Sequence, residues 1–346
     1  MKIGVIFTGG TIGSAVNENG YISTKGKDYY LLLDMYRKKR GDEHEFITKS
    51  PYCILSENLQ QSQLVQLIRS VDELLEEKVD GIIVTHGTDT LQYAAGILGY
   101  VFGEVSIPVL LVSSNYVLAN PAANGFCNFD YAMEFIKGAY GRGVFVSYCN
   151  TGDNPKIHRA TRLMAPLSYS DDVYSIENSY YGYFDCETGD VKGEDHGVIF
   201  RKNKEAEENV HSLSMFQNMD KKEIELNKLS DMILQVKPYV GMNYPELIQN
   251  VKVILHDSYH SGTIGINEEL VRFAKEAKEL HIPFYLVGLS SKATTYETVG
   301  MYEEYGIKPL FDTAYIAQYC KLWLGLSNGF DILKLMGRNY GHDHIM

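Results

Sequence analysis

Two short runs of the chain offer no polar face to water, and each breaks off into glycine and threonine. Ile3-Gly4-Val5-Ile6-Phe7 runs into Thr8-Gly9-Gly10-Thr11, and Gly81-Ile82-Ile83-Val84-Thr85 runs into His86-Gly87-Thr88-Asp89-Thr90. A strand without polar alternation belongs inside a sheet that is covered on both faces, and helices are the usual cover. The pattern recurs: residues 108–112 and 143–148 read as strands, and residues 91–102 and 124–140 as helices. Strand and helix in alternation predict the α/β class, with a parallel sheet and crossover helices.

With 346 residues the chain is long enough for two cores. Residues 201–229 carry a dense mix of Lys, Glu, Asp and Asn with few apolar positions and read as a connector. A second alternation follows it, with strands at 232–236, 251–255 and 283–287, a helix at 268–280 and a last helix around 313–326. The expected organisation is an N-terminal α/β domain over 1–200, a connector over 201–230 and a smaller C-terminal α/β domain over 231–346.

The net charge of −12 argues against nucleic acid as a partner, since phosphate binding needs a basic face. The five cysteines are widely spaced and form no C-x-x-C pair, a pattern that suits reduced thiols better than a disulfide framework or a zinc site. The chain opens directly on a strand, without the pattern of a secretory leader, and no stretch is apolar for long enough to span a bilayer. The expectation is a cytoplasmic protein with no membrane partner.

In open α/β sheets ligands sit beyond the carboxyl ends of the strands, so the two Gly/Thr loops are where chemistry is expected. Glycine lets backbone take positive φ and come close to a ligand, and threonine brings a hydroxyl. A threonine hydroxyl is a weak nucleophile at neutral pH and needs a base or an electrostatic helper. Asp89 supplies a charge beside Thr88. Two other readings stand next to this one. Thr88, Asp89 and Thr90 fall where helix N-caps are favoured. Gly9, Gly10 and Gly13 loosely match a phosphate-binding turn, but that turn calls for an acidic residue closing the second strand. The chain instead continues through Val16 to Ile22 as a turn-rich hairpin with Asn19-Gly20 at its tip.

On Thr8-Gly9-Gly10-Thr11-Ile12-Gly13 and His86-Gly87-Thr88-Asp89-Thr90 the sequence resembles the asparaginase family, its bacterial cytoplasmic (type I) members in particular. The likeness extends through Pro121-Ala122-Ala123-Asn124-Gly125 and the C-terminal region. It implies a doubly wound N-terminal domain, a smaller C-terminal one, and assembly into homodimers or homotetramers. It also implies hydrolysis of a small side-chain amide, that of L-asparagine first, without metal or organic cofactor. By motif, Thr11 is the implied nucleophile, Thr88 the second essential threonine, and Asp89 its partner and the receptor of the substrate ammonium. Tyr21 matches the aromatic residue of a closing hairpin. Ser56 and Glu57 match the segment that binds the α-carboxylate and α-amino group, Ser114 lines the amide end, and Gly10 and Gly87 complete the substrate contacts. Glutamine or a similar amide, or amino-acid binding without turnover, are the alternatives.

The pattern departs from the family at His158-Arg159-Ala160-Thr161-Arg162, where a relay lysine is replaced by Arg162. Arginine stays protonated and cannot serve as a base, though it still supplies positive charge to Thr88 and Asp89. Lys156 is the nearby alternative, and the loop that follows is longer than usual. Ser113-Ser114-Asn115-Tyr116-Val117 lacks the glycine and proline usual there. Elsewhere, Gly341-His342-Asp343-His344 reads as a solvated tail, with too few ligands for a metal. His256-Asp257-Ser258 has the residue types of a serine triad, but neighbours along a strand point to opposite faces. The tyrosines around 174–183 read as packing or a subunit contact.

Overall fold

The computed structural model describes residues 1–16, 19–23, 29–41, 43–186, 199–204, 212–228, 231–292 and 296–345. Its larger sheet is built from β1 (Lys2–Phe7), β4 (Glu45–Lys49), β5 (Gly81–Thr85), β6 (Pro108–Val112), β7 (Gly143–Tyr148), β8 (Lys156–Arg159), β9 (Gly182–Asp185) and β10 (Ile199–Lys202). A two-stranded hairpin, β2 (Ala15–Val16) with β3 (Ile22–Ser23), follows β1. Residues 17 and 18 of the expected hairpin lie outside the described residues. Helices α1 (Tyr29–Arg40), α2 (Gln61–Glu76), α3 (Leu91–Phe102) and α4 (Gly125–Lys137) connect the strands.

Strand order is β10-β9-β8-β7-β6-β5-β1-β4, parallel from β4 through β7 and antiparallel from β7 to β10. From β1 the chain moves to one side, to β4; from β5 it moves to the other, to β6. The loops leaving β1 and β5 therefore part from each other, and a crevice opens between two neighbouring strands at their carboxyl ends. Thr11 and Thr88 stand in those two loops.

The second sheet is fully parallel, in the order β11 (Ile233–Val236), β12 (Val253–His256), β13 (Phe284–Leu289) and β14 (Ile307–Phe311). With it go α5 (Glu268–Glu279), α6 (Glu297–Met301), α7 (Tyr315–Ser327) and α8 (Ile332–Met336). The apolar runs read from sequence are strands, and the expected helices stand within a few residues of their expected ends. Elements outside those expectations include α1, α2, β4 and β14. Edge strand β4 is half exposed and charged at both ends, so it lacks the apolar signature of β1 and β5. By contrast α2 buries Leu64, Leu67, Ile68, Val71 and Leu74 at helical spacing against the sheet.

Helix α3 is buried on every side but at Tyr93 because it is covered twice. One face lies on the sheet, and the other meets α7 and the C-terminal tail. A Cβ at Gly96 would lie 3.1 Å from Cys320 Sγ on α7, and one at Gly99 would lie 2.7 Å from Thr161 Cγ2. The connector also adheres to this core through Met215, Phe216, Ile224 and Leu226, isolated anchors without a period to reveal them. Its residues 205–211, 229 and 230 lie outside the described ones.

The tail overturns the expectation of a solvated end. Asp343 is 0% exposed and pairs at 2.9 Å with Lys321, itself fully buried on α7. Tyr100 of α3 donates to the same carboxylate at 3.0 Å and Gln318 at 3.1 Å. Burial alone would raise the Asp343 carboxyl, but Lys321 and His344 outweigh it and hold the group below its ordinary range. The counter-charge sits on a helix distant in sequence, so the tail looks hydrophilic when read alone. Lys321→Met leaves a buried carboxylate without its cation and should lower the unfolding free energy by about 3–5 kcal/mol. The denaturant midpoint reads this; a loss below about 1 kcal/mol would mean the pair holds nothing together.

Candidate active site

The site is assembled by backbone contact. Gly9 and Gly10 have φ of 100° and 69°, outside the range that side-chain-bearing residues favour. A Cβ at Gly9 would lie 2.3 Å from Ile54 O, and one at Gly10 would lie 2.4 Å from Gly87 N. The β1 loop is thus pressed between the segment after β4 and the loop after β5. Hydrogen bonds hold it there, from Gly10 N to Ile54 O at 2.8 Å and from Ile54 N to Thr8 O at 3.1 Å. Thr8, the other hydroxyl of this loop, is a staple: its Oγ1 donates to Thr85 O at 2.7 Å.

On the other side of the contact, Gly87 makes room for Ser56. A Cβ at Gly87 would lie 2.4 Å from Ser56 Oγ. That hydroxyl donates to Asp89 Oδ2 at 3.4 Å, and Thr90 Oγ1 donates to Ser56 O at 2.9 Å. The Thr90 hydroxyl is therefore spent on the Ser56 turn and makes no cap for α3, which removes that part of the helix-cap reading. His86, buried beneath the loop, sits 2.9 Å from Gly87 O through Nδ1. Desolvation lowers its pKa, so it is a neutral prop whose Nδ1 carries the proton for that carbonyl.

Gly10, Gly87, Ser56, Thr88 and Asp89 are accordingly brought together. Thr11 begins a short 3-10 turn, Thr11–Gly13, directly after the contact and is half-buried. Glu57 is exposed on the turn Ser56–Asn58, next to Ser56. Tyr21 is 72% exposed at the end of the hairpin. Ser114 is fully buried, and its hydroxyl donates within its own loop to Tyr116 O at 2.5 Å. That loop is locked by Ser113, which donates to His86 O at 2.7 Å, and by a mutual clasp. Asn115 N donates to Asn124 Oδ1 at 3.0 Å, and Asn124 N donates to Asn115 Oδ1 at 3.0 Å.

Arg162 is the largest fully buried side chain and has a structural task. Its Nε donates to His342 O at 2.8 Å and its Nη2 to His344 O at 3.0 Å, so the planar fork grips two carbonyls of the tail. Lys156 pairs with Asp153 and lies 5.0 Å over the Tyr180 ring. In the second sheet, His256 is held between Tyr244 Oη at 2.9 Å and the Asp257 carbonyl, and burial pushes its pKa down to about 4. Both its nitrogens are engaged away from Ser258, so no triad forms there. Tyr181 packs 4.9 Å from Phe145, as the packing reading holds.

Beyond Thr88 lies a cavity of about 370 Å³, lined by Thr88, Asp89, Gln92 and the loop 166–173. Thr11 is not part of this lining. Sequence reading passed over Gln92, although a side-chain amide in an otherwise apolar helix is a visible signal.

Paired glycine loops at the switch point of a parallel sheet, with hydroxyls and a carboxylate around them, define an α/β protein whose polar loops stand where ligands of such folds bind. The family profile described as "Asparaginase, N-terminal" matches residues 2–187, more than half of the chain. The chain belongs to the asparaginase family. It is similar to the L-asparaginase of Thermococcus kodakarensis, 34% identical over 163 residues that cover 47% of this chain and 47% of that protein. It is likewise similar to a glutamyl-tRNA(Gln) amidotransferase subunit of Methanosarcina mazei, 29% identical over 194 residues covering 55% of this chain and 45% of the relative. The chain thus matches about half the length of these relatives. Two solved structures share its fold. The thermostable L-asparaginase from Thermococcus kodakarensis has a TM-score of 0.74 at 24% identity over 100% of both chains. L-asparaginase I from Vibrio cholerae has 0.74 at 19% identity, over 100% of this chain and 99% of that one.

If the Gly10–Gly87 contact builds the site, Gly10→Ala must force two backbones apart, at a cost of about 3 kcal/mol or more. Gly20→Ala is the control: φ is 80° there, but a Cβ meets nothing within 4 Å, so only the backbone strain of about 1 kcal/mol applies. Equal losses in the two denaturant midpoints would show that the contact carries no weight.

Proposed function

We propose that this chain hydrolyses the side-chain amide of L-asparagine to L-aspartate and ammonia, with Thr11 as nucleophile. The observation that supports it most is the approach of Gly10 to Gly87 at the β1/β5 crevice, which sets the loops of Thr11 and Thr88 against each other. In this reading Thr11 Oγ1 attacks the amide carbon and its proton leaves toward Thr88 and Asp89, while Arg162, expected from the sequence to lend positive charge there, is engaged with the tail carbonyls. The carbon–nitrogen bond breaks and the nitrogen departs as ammonia. Water then cleaves the ester and restores the hydroxyl. Backbone N–H groups of the loops at Thr88 and Ser114 stabilise the oxyanion, each worth ~3 kcal/mol in comparable sites.

The α-ammonium goes to Asp89 and the α-carboxylate to Ser56, with Glu57 beside them and Tyr21 closing the hairpin over the ligand. No step calls for a cofactor. The catalytic groups belong to the domain placed at 1–200. None of the five cysteines is in a disulfide, which fits a cytoplasmic enzyme, and the family likeness favours a homodimer or homotetramer. Among the described residues no helix is long and apolar enough to cross a membrane.

A second reading, release of nitrogen from another amide such as glutamine, is favoured by the relatives named as glutamyl-tRNA(Gln) amidotransferase subunits. A coupled ammonia assay with asparagine and glutamine separates the two. Thr11→Ala and Thr88→Ala should each reduce release by roughly a thousandfold or more. Full activity in Thr11→Ala would remove the threonine mechanism.

A further inference from the structure

Cys127, in the first turn of α4, and Cys149, the residue after β7, stand with their sulfurs 2.7 Å apart, one thiol hydrogen-bonded to the other. The two are unequal. Cys149 is 9% exposed, whereas Cys127 is half-buried and reaches solvent. With Cys149 as donor, the bond favours a thiolate on Cys127, whose pKa is lowered although burial works against this. The same bond, together with burial, holds the Cys149 thiol protonated. An approachable thiolate with a thiol against it is the arrangement of an attacking and a resolving cysteine.

The backbone around the pair leads to the loop of Ser114. Cys149 N donates to Asn128 Oδ1 at 2.7 Å, and Asn124 Nδ2 donates to Cys149 O at 3.0 Å. Both asparagines stand at the start of α4, on either side of Cys127. Their other amide atoms hold the loop after β6: Asn128 Nδ2 donates to Ser113 O at 2.8 Å, and Asn124 Oδ1 accepts from Asn115 N at 3.0 Å. Whatever moves Cys149 against α4 therefore moves the two groups from which Ser113, Ser114 and Asn115 hang. A third thiol is the rival partner. Cys186, exposed just past β9, has its sulfur 3.2 Å from Tyr131 Oη, one turn along α4 from Cys127.

We propose that Cys127 and Cys149 form a redox modification site, closed to a disulfide by hydrogen peroxide and reopened by a small thiol. The Cys127 thiolate attacks one peroxide oxygen and becomes a sulfenic acid. The O–O bond breaks, and the leaving hydroxide takes up the proton that Cys127 had given up. The Cys149 sulfur then attacks the Cys127 sulfur. The S–S bond forms, the S–O bond breaks, and the departing hydroxide leaves with the Cys149 proton as water. Two thiols and one peroxide thus give one disulfide and two waters; sulfur is oxidised and the peroxide oxygens are reduced. Drawing the sulfurs from 2.7 Å to the ~2.05 Å of a disulfide shifts Cys149 against its asparagines, and through them the Ser114 loop. In a reducing compartment such a bond is transient, which suits a sensor and not a brace. The effect on turnover rests on the amidohydrolase reading; the pair itself does not.

The test exposes the full chain to hydrogen peroxide and reads its intact mass and its non-reduced peptide map. The mass should fall by two hydrogen atoms with Cys127 joined to Cys149, and dithiothreitol should reverse the change. Cys149→Ser should instead leave Cys127 as a sulfenic acid that dimedone traps. Cys186→Ser, an exposed change, should form the bond as the unsubstituted chain does. In the unsubstituted chain, a bond from either cysteine to Cys186, Cys127 carried on to sulfinic or sulfonic acid, or no reaction at all overturns the pair. Asparagine turnover should be about tenfold lower in the disulfide form, as a displaced oxyanion loop allows, and return with dithiothreitol. Equal turnover of the two forms overturns the link to the Ser114 loop. If neither form cleaves asparagine, the amidohydrolase reading fails, and the peptide map still decides the pair.

Discussion

Two backbones touch where the loops after β1 and β5 meet, and the rest of the site is arranged around that touch. A side chain at Gly10 would occupy the place of the Gly87 amide, and one at Gly87 the place of Ser56 Oγ. Three segments distant in sequence are brought within reach of one another because three of the residues at the junction, Gly9, Gly10 and Gly87, have no Cβ. The buried strands beneath supply the rigidity. The parting of their connections at β1 and β5 leaves the crevice open.

What stabilises the crevice from behind is α3. It begins at the site with Thr90 tied to Ser56 and runs inward between the sheet and α7. It ends on the C-terminal tail, where Tyr100 reaches Asp343. Arg162 and Lys321 hold the same tail from two sides, one by its carbonyls and one by its carboxylate. Arg162 is therefore part of the frame that fixes α3. A lysine has no fork with which to hold both carbonyls.

Much of this was legible in the sequence where the physics is local. Five-residue β-branched apolar runs that break off into glycine and threonine read as inner strands, and the glycines announce a tight turn, so the framework and both threonine loops could be located. What escaped depends on partners far along the chain. Nothing near Asp343 in sequence announces Lys321 or Tyr100. Nothing near Gly87 announces Ser56. The loop 166–173 is merely polar until it is seen to wall a cavity with Gln92. Edge strand β4 is masked by its charged ends.

A crystal structure with L-aspartate bound tests the threonine site most directly, because the product carries the carboxylate that replaces the amide. The side-chain carboxylate should lie within about 3 Å of both Thr11 Oγ1 and Thr88 Oγ1, with its ammonium on Asp89. A ligand bound elsewhere, or one within reach of only one of the two threonines, would contradict it.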